Sequence, residues 1–570
     1  MEQSIVMAKD YSELTQEELI DLIHRLEKKR KYGLVWDEEQ APEEVVQNCS
    51  KFLPVLKPLE VKGIVNKGLD DHVLIQGDNF HALSVLSYTH KNQIDLIYID
   101  PPYNTGNQED EEGFVYNDKR VDSDDTYRHS KWLNFMSRRL ELSRDLLKDS
   151  GFCFISIDEH EFAQLRLVCD QIFGEENFVN FLTWKKRSTG GQVKDGSIIT
   201  QTEFIFIYAK NKKIGKLNKI DNPNVGTEKW RDFRKSGGQW QRRHRPKQYY
   251  PFFYDSKNDV LSLDRLKKTD VEIFPLDSKG EEGFWENGVD TATKRLKSGE
   301  FKVELIKSGL LKGTYKVKQL EVASDVQNVG NFVDIPSVQG ANEIRELGLA
   351  FNNAKPLNLI EFILKIASNK ESLILDYFAG SGTTGHAVIR LNSIDGGNRQ
   401  TILCTNNEAN VMAPKGISTD VTIPRLIKAS NGYKNDKNES IPGLGGNLRI
   451  FETDFVKNSK NKDQIKFDIA EKCAEVLCLK EFTFELYEEH EDWKIYKKDN
   501  KHVAIYFSLL PNNLESLRLA MNAITGSKIL YCFTLDPNGL DFYQFDNWND
   551  IELKDIPQKI LDTYKRIFNI

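Results

Sequence analysis

Asp100-Pro101-Pro102-Tyr103 stands directly after the apolar run QIDLIYI and directly before Asn104-Thr105-Gly106. Two successive prolines stop a strand and hold the chain in a rigid, extended turn. At the carboxyl end of a strand in an open α/β sheet, such a turn lies where ligands bind. The residue types suit one chemical task. An exocyclic amine on a heteroaromatic ring is a poor nucleophile, because its lone pair is delocalised into the ring. The Asp100 carboxylate can accept one hydrogen bond from that amine, and the Pro101 carbonyl can accept a second. Two fixed acceptors draw the nitrogen toward tetrahedral geometry, which is electrostatic preorganisation. Pro102 adds rigidity, and Tyr103 offers a flat face for a stacked base, worth on the order of 1–3 kcal/mol. Asp-Pro by itself marks only a turn. All four residues behind a buried strand are far more specific.

A second set lies at LILDYFAGSGTTGHAV, which reads as strand, Gly-rich turn and helix. Gly380, Gly382 and Gly385 fit G-x-G-x-x-G. Glycines there let backbone approach a ligand closely, and this serves a dinucleotide pyrophosphate or the methionine part of S-adenosylmethionine equally well. Glu408 closes the next apolar run, TILCTNNE. It fits a ribose-binding acid, and it fits a solvated strand-end carboxylate equally well. The two sites together favour methyl transfer. Hydride transfer gives no use for an amine-polarising turn on a sister strand. A methyl-transfer enzyme needs a donor pocket and an acceptor pocket at adjacent strand ends, with no metal and no covalent intermediate. No Cys follows a Pro, so a cysteine nucleophile for attack on cytosine C5 is not indicated. His129, His160 and His244 are isolated in sequence, and no metal ligand set is read from them.

The elements that must position these residues are legible as alternating strands and helices. HVLIQGD, QIDLIYID and GFCFISID read as strands, and KWLNFMSRRLELSRDLLKDSG reads as a helix ending at Gly. The alternation resumes with KPLNLIEFILKIAS. It predicts an α/β fold with a largely parallel, doubly covered sheet. The chain of 570 residues is long enough for several cores. The expected divisions are an N-terminal helical segment (1–60), a first half of the α/β domain (61–183), an insert richer in Lys, Arg, Gly, Trp and Tyr (184–340), a second half (341–457) and, beyond a polar linker at 458–464, a smaller C-terminal α/β domain (465–570). Residues 12–31 form a charged amphipathic helix, suited to assembly or to lying on the domain surface.

The net charge of −8 is no footprint of a generic nucleic-acid coat, so any DNA contact must come from local basic clusters. One such cluster is KWRDFRKSGGQWQRRHRPKQYY, with Arg231, Arg234, Arg242, Arg243 and Arg245 interleaved with aromatic residues including Trp240. Arginines there can neutralise phosphates or read guanine edges. A solvated basic loop has the same composition. Lys185, Lys186 and Arg187, beside Trp184, are candidates for the border of the same cleft. The acidic stretch 108–125 fits a lid that orders on binding, or a solvated loop. Seven scattered cysteines without a C-x-x-C pair fit reduced thiols, and no apolar run is long enough to span a bilayer. Together these predict a cytoplasmic protein with no membrane partner.

The stretches LIQGDNFHALSVL, IDLIYIDPPYNTG, HSKWLNFMSRRLELSRDLL, GFCFISIDEHEFAQL, EFIFIYAKN, DYFAGSGTTGHAV and IPQKILDTYKRIF resemble the β-class amino-methyltransferases of DNA, and more closely the modification (Mod) subunits of type III restriction-modification systems. The resemblance covers most of the chain. It implies a Rossmann-like methyltransferase sheet with circularly permuted motif order, the insert serving as target-recognition region. It implies S-adenosylmethionine as cofactor and adenine N6 in double-stranded DNA as target, reached by base flipping. Asp100, where N4-cytosine enzymes usually carry Ser, favours adenine; N4-cytosine methylation is the near alternative, and a mainly DNA-recognising subunit is the other. By resemblance, Phe378, Gly380, Gly382 and Thr383 line the donor pocket. Asp376 and Lys355-Pro356 lie beside the methionine end, and Asp78 and Asn79 contact the cofactor adenine. The same resemblance implies a homodimer and a restriction (helicase-nuclease) partner.

Overall fold

The computed structural model describes residues 36, 43–59, 63–64, 69, 71–106, 114–116, 119–122, 124–187, 198–456, 462–506, 514–532, 548, 550–554 and 556. The expected helix 12–31, half of the acidic stretch 108–125 and nearly all of IPQKILDTYKRIF lie outside the described residues. The chain divides into two compact units, Met1–Asn218 with Gly330–Ile570, and Lys219–Val329.

The first unit is built on a ten-stranded sheet. Its strands are β1 (Leu53–Pro58), β2 (Asp71–Gln76), β3 (Ile94–Ile99), β4 (Leu147–Ile157), β5 (Phe178–Lys185), β6 (Thr202–Ala209), β7 (Phe332–Asp334), β8 (Leu373–Asp376), β9 (Gln400–Thr405) and β10 (Asn447–Val456). Their spatial order is β1-β10-β2-β9-β8-β3-β4-β6-β5-β7. From β10 to β4 every neighbouring pair is parallel, whereas β6 runs antiparallel to both β4 and β5. Ile94, Leu96, Ile97 and Ile99 of β3 are fully buried, as expected of a strand covered on both faces.

The chain leaves β8 for β9 on one side and leaves β3 for β4 on the other. The β8–β3 boundary is therefore a topological switch point, where the helices diverge and a crevice opens beyond the strand ends. The register pairs Ile374 with Leu96 and Leu375 with Ile97. Asp376 and Asp100 thus emerge side by side at the carboxyl edge, although a long stretch of chain separates them in sequence.

Two boundaries differ from the expected ones. The self-contained insert is Lys219–Val329, narrower than 184–340. Trp184 and Lys185 pair with β6 residues Glu203 and Thr202, and Phe332–Asp334 pairs with β5, so both flanks of the expected insert are sheet strands. The C-terminal region is not a separate body. The expected linker runs into the helix Lys462–Glu481, and Cys473, Leu477, Val503 and Tyr531 share one core with Leu53 and Val73. A five-stranded sheet does form there, with its own smaller core around Trp493, Ala504 and Leu517. Among the described residues no helix is long and apolar enough to cross a membrane.

The second unit packs two three-stranded sheets around Phe233, Phe252, Trp285 and Val317. Phe233 stacks on Trp285 with centroids 5.3 Å apart.

Candidate active site

Asp100 follows the last residue of β3, and the turn behind it is pinned from several sides. The Trp132 indole donates to the Pro102 carbonyl at 2.7 Å. Asn104 is buried with φ of 57°, a left-handed conformation that asparagine tolerates and that turns the chain away from the sheet. Its amide donates to Glu161 Oε1 and to the Arg128 carbonyl. The His129 ring Nδ1 lies 2.6 Å from the same Glu161 oxygen. Burial pushes the Glu161 carboxyl above its ordinary range. His160 pairs with Asp158, so both histidines bind carboxylates.

Around Asp100 the structure assembles groups that lie far apart in sequence. The Tyr103 hydroxyl donates to Asp100 Oδ1 at 2.7 Å. The Lys355 ammonium lies 3.0 Å from Asp100 Oδ2, donates to the Tyr103 hydroxyl at 2.9 Å and lies 3.3 Å from Glu203 Oε2. Lys186 binds the other Glu203 oxygen at 2.6 Å. Burial opposes the Lys355 charge, but Asp100 and Glu203 outweigh it and hold the lysine above its ordinary range. Burial likewise opposes the Glu203 charge, and Lys355 and Lys186 together keep its carboxyl below the usual value. Lys355, expected beside the methionine end of the cofactor, here pairs with the Asp100 carboxylate. Lys186, expected on the DNA face, is the outer partner of Glu203. Lys185 pairs with Asp334 at 2.8 Å, and Arg187 is exposed. Glu203 was not singled out by the sequence; a lone acid heading the apolar run EFIFIYA was the available signal.

Lys355 is placed by tight backbone packing. A Cβ at Gly340 would lie 2.0 Å from the Ala354 carbonyl oxygen and 3.0 Å from the Lys355 carbonyl carbon. Neither backbone atom can yield without moving Lys355. Gly340→Ala is therefore expected to cost about 1–3 kcal/mol, typical of overpacking. It should also lower methyl transfer at unchanged DNA affinity. Chemical denaturation and methyl incorporation check both parts.

The donor side lies at β8. Asp376 is buried; its Oδ1 accepts from the Phe378 backbone N–H at 3.0 Å and its Oδ2 from the Thr384 hydroxyl at 2.6 Å. The carboxylate so fastens the Gly-rich turn onto the strand end. Burial is the main reason its pKa rises to about 7, with Asp100 adding to it. Gly380 and Gly382 have φ of 47° and 77°, and the Thr422 hydroxyl donates to the Gly380 carbonyl. Gly385 has a packing role, since a Cβ there would meet Leu403 and Leu426 at 2.7 Å. The Thr383 hydroxyl accepts from buried Arg425 at 2.7 Å, and Phe378 packs 5.9 Å from Phe135, centroid to centroid. Asp78 caps the helix Asn79–Thr89 through Oδ1, with Phe80 N–H at 2.7 Å. Asn79 donates to the Tyr377 carbonyl at 3.1 Å and accepts from Arg139. Pro356 precedes the helix Leu357–Ala367. Glu408 is exposed, beyond the end of β9. A buried carboxylate with no cation on it, beside a turn with two left-handed glycines, fits a ligand that carries positive charge and comes close to backbone. Among the described residues no group of His, Cys, Asp and Glu side chains could hold a metal.

In the second unit the basic residues are unequal. Arg231 is bidentate to Glu286 at 2.7 Å and also pairs with Glu321. Arg242 pairs with Glu282 at 2.9 Å and stacks 4.0 Å above Tyr249. Arg234 lies 5.4 Å from the Trp240 ring centroid, Arg245 lies 5.9 Å from that of Phe284, and Arg243 is exposed. Exposed ion pairs of this kind contribute little and open readily.

An aspartate at one strand end and a Gly-rich turn at the next, at a topological switch point, give the site the layout of a group-transfer enzyme. The sequence model of the DNA methylase family matches residues 94–401, and the chain belongs to that family of DNA methyltransferases. It is 32% identical over 384 residues to the type II methyltransferase M.KpnI of Klebsiella pneumoniae, covering 64% of this chain and 89% of that protein. It is 31% identical to the type III restriction-modification enzyme EcoP15I Mod subunit of Escherichia coli, covering 73% and 72%. It is 30% identical to the StyLTI Mod subunit of Salmonella typhimurium, covering 81% and 70%. The family uses S-adenosylmethionine as methyl donor.

Proposed function

We infer that the protein methylates N6 of adenine in double-stranded DNA, as the Mod subunit of a type III restriction-modification system. The observation that carries this reading is the Asp100 carboxylate at the end of β3, directly beside the Asp376 strand end and its Gly-rich turn. When bound, S-adenosylmethionine supplies a methyl group on a sulfonium centre, which is electrophilic without any metal. Gly380 and Gly382 give its methionine part close backbone approach, Phe378 and Thr383 line the pocket, and Asp376 meets its positive charge. Asp78, Asn79 and Glu408 are assigned to its adenosine part.

The target base must leave the duplex stack to reach the crevice. Asp100 and the Pro101 carbonyl then accept the two amine protons, while Tyr103 flanks the ring. These hydrogen bonds would polarise the N–H bonds toward nitrogen and direct its lone pair at the methyl group, whose bond to sulfur would break as the N–C bond forms, releasing a neutral thioether. The nitrogen then sheds one proton, and Asp100 is the nearest base. Arg234, Arg243 and Arg245 of the insert are assigned to phosphates or base edges, with Arg231, Arg242 and Trp240 joining once their internal pairs open.

The similarity to Mod subunits of restriction-modification enzymes supports a restriction partner, and with it we propose a homodimer and a cytoplasmic setting. A second reading has its own support: the match spans 89% of M.KpnI, which fits a solitary methyltransferase. Methylation of cytosine N4 uses the same pocket logic. One experiment separates these. The protein is expressed in a host without adenine methylation, and the genomic DNA is sequenced by a modification-sensitive long-read method. N6-methyladenine at one short motif is the expected result. N4-methylcytosine would move the target to cytosine. An unmodified genome would favour a mainly DNA-recognising subunit.

A further inference from the structure

The acceptor pocket holds more charge than two hydrogen bonds to an amine require. Lys355 has three N–H donors and meets three acceptors, one each on Asp100, Tyr103 and Glu203. Glu203 sits near the start of β6, which runs antiparallel to β4, so it lies at the same sheet edge as Asp100. Glu203 is nearly fully buried, yet it is ionised between two lysines. A buried carboxylate is retained only when its charge is matched. The pocket contains two carboxylates, Asp100 and Glu203, and two ammonium groups, Lys355 and Lys186.

We propose that Glu203 is a positioning residue for methyl transfer, which holds Lys355 and Tyr103 in place so that Asp100 meets the amine as an oriented acceptor. This rests on the reading of Asp100 as the amine acceptor. Glu203 acts through Lys355 and Tyr103 and not on the amine itself. Its charge also divides the ammonium between two carboxylates. A lysine bound to Asp100 alone would draw its electron density and weaken it as an acceptor. With no lysine at all, Asp100 would face Glu203 directly, two carboxylates with no cation between them to fix their orientation.

The charged and titratable groups facing Asp100 are Tyr103 from its own turn, Lys355, Glu203 with Lys186 behind it, and Asp376 and Tyr98 from the neighbouring strands. The test alters two of them in opposite senses. Single-turnover transfer of tritiated methyl groups is measured on genomic DNA from an unmethylated host, with saturating cofactor, for the wild type, Glu203→Gln and Lys355→Met. Both variants should slow transfer about tenfold or more at neutral pH, with the cofactor Kd of Glu203→Gln within about threefold of wild type. Glu203→Asp, measured beside them, keeps a carboxylate between the two lysines and should recover part of the rate that Glu203→Gln loses. If Lys355→Met does not fold, Lys355→Gln replaces it. A Glu203→Gln rate within about threefold of wild type, a loss carried wholly by cofactor affinity, or a Glu203→Asp no faster than Glu203→Gln overturns the proposal. A wild type with no transfer overturns instead the reading on which it rests.

Discussion

Replacing Asp100 with alanine is expected to abolish methyl transfer, by about a thousandfold or more, while S-adenosylmethionine still binds within a few-fold of its wild-type affinity. The loss has two parts. Removing one preorganised electrostatic partner of a transition state typically costs about a hundred- to a thousandfold. Here the same change leaves the Lys355 ammonium facing the amine without its carboxylate. A cation beside a nitrogen that becomes positive during transfer raises the barrier further. The donor pocket is spared, because Asp376 is held by Phe378 and Thr384 and not by Asp100. Asp100→Asn keeps one acceptor oxygen and should fall between alanine and wild type. Methyl incorporation and isothermal calorimetry read the two halves separately. Activity above about a tenth of wild type in Asp100→Ala would remove Asp100 from the reaction.

Both candidate sites stand out in the sequence because each is a contiguous run of residues whose backbone chemistry is distinctive. Two prolines after an apolar strand leave few conformations open, and two glycines between a strand and a helix permit the left-handed turn that other residues resist. The α/β alternation was legible for the same reason. What joins the pockets was not. Lys355 and Glu203 reach Asp100 across the sheet edge, and no periodicity records which strand ends will be neighbours. The insert boundary was misjudged because composition changes near Trp184, whereas the sheet continues through TEFIFIYA, an apolar run that itself reads as a strand. The expected linker was misjudged because NSKNKDQ is polar, yet its last residues open the helix Lys462–Glu481. In the insert, the spacing of arginines showed a basic cluster, but not that Arg231 and Arg242 are occupied by Glu286 and Glu282. Arg139 left a clearer trace. On the helix Arg128–Leu146 the buried residues Trp132, Met136, Arg139, Leu140 and Ser143 recur at three- and four-residue spacing, which places the arginine inward.

That buried arginine carries the largest expected effect on stability. Arg139 is 0% exposed and donates to both oxygens of Glu43 at 2.9 Å. It also donates to Asn79, lies 3.5 Å from Asp78 and stacks 3.6 Å from the Phe135 ring centroid. Arg139→Met fills much of the volume but leaves the Glu43 carboxylate buried without its cation. Removing one partner of such a pair costs about 3–5 kcal/mol, more than the intact pair contributes against an apolar replacement. The expected result is a large fall in the denaturation midpoint. Cofactor affinity should fall with it, because Asn79 ties this helix to the Tyr377 carbonyl at the head of the Gly-rich turn. Arg139→Met combined with Glu43→Leu removes both charges and should restore most of the stability. Affinity should recover less, since Asn79 still lacks its donor. A single variant that loses under about 1 kcal/mol would mean that water or a rearranged neighbour satisfies Glu43. A double variant no more stable than the single would mean that Asp78 and Asn79, not Glu43, set the cost of losing the guanidinium.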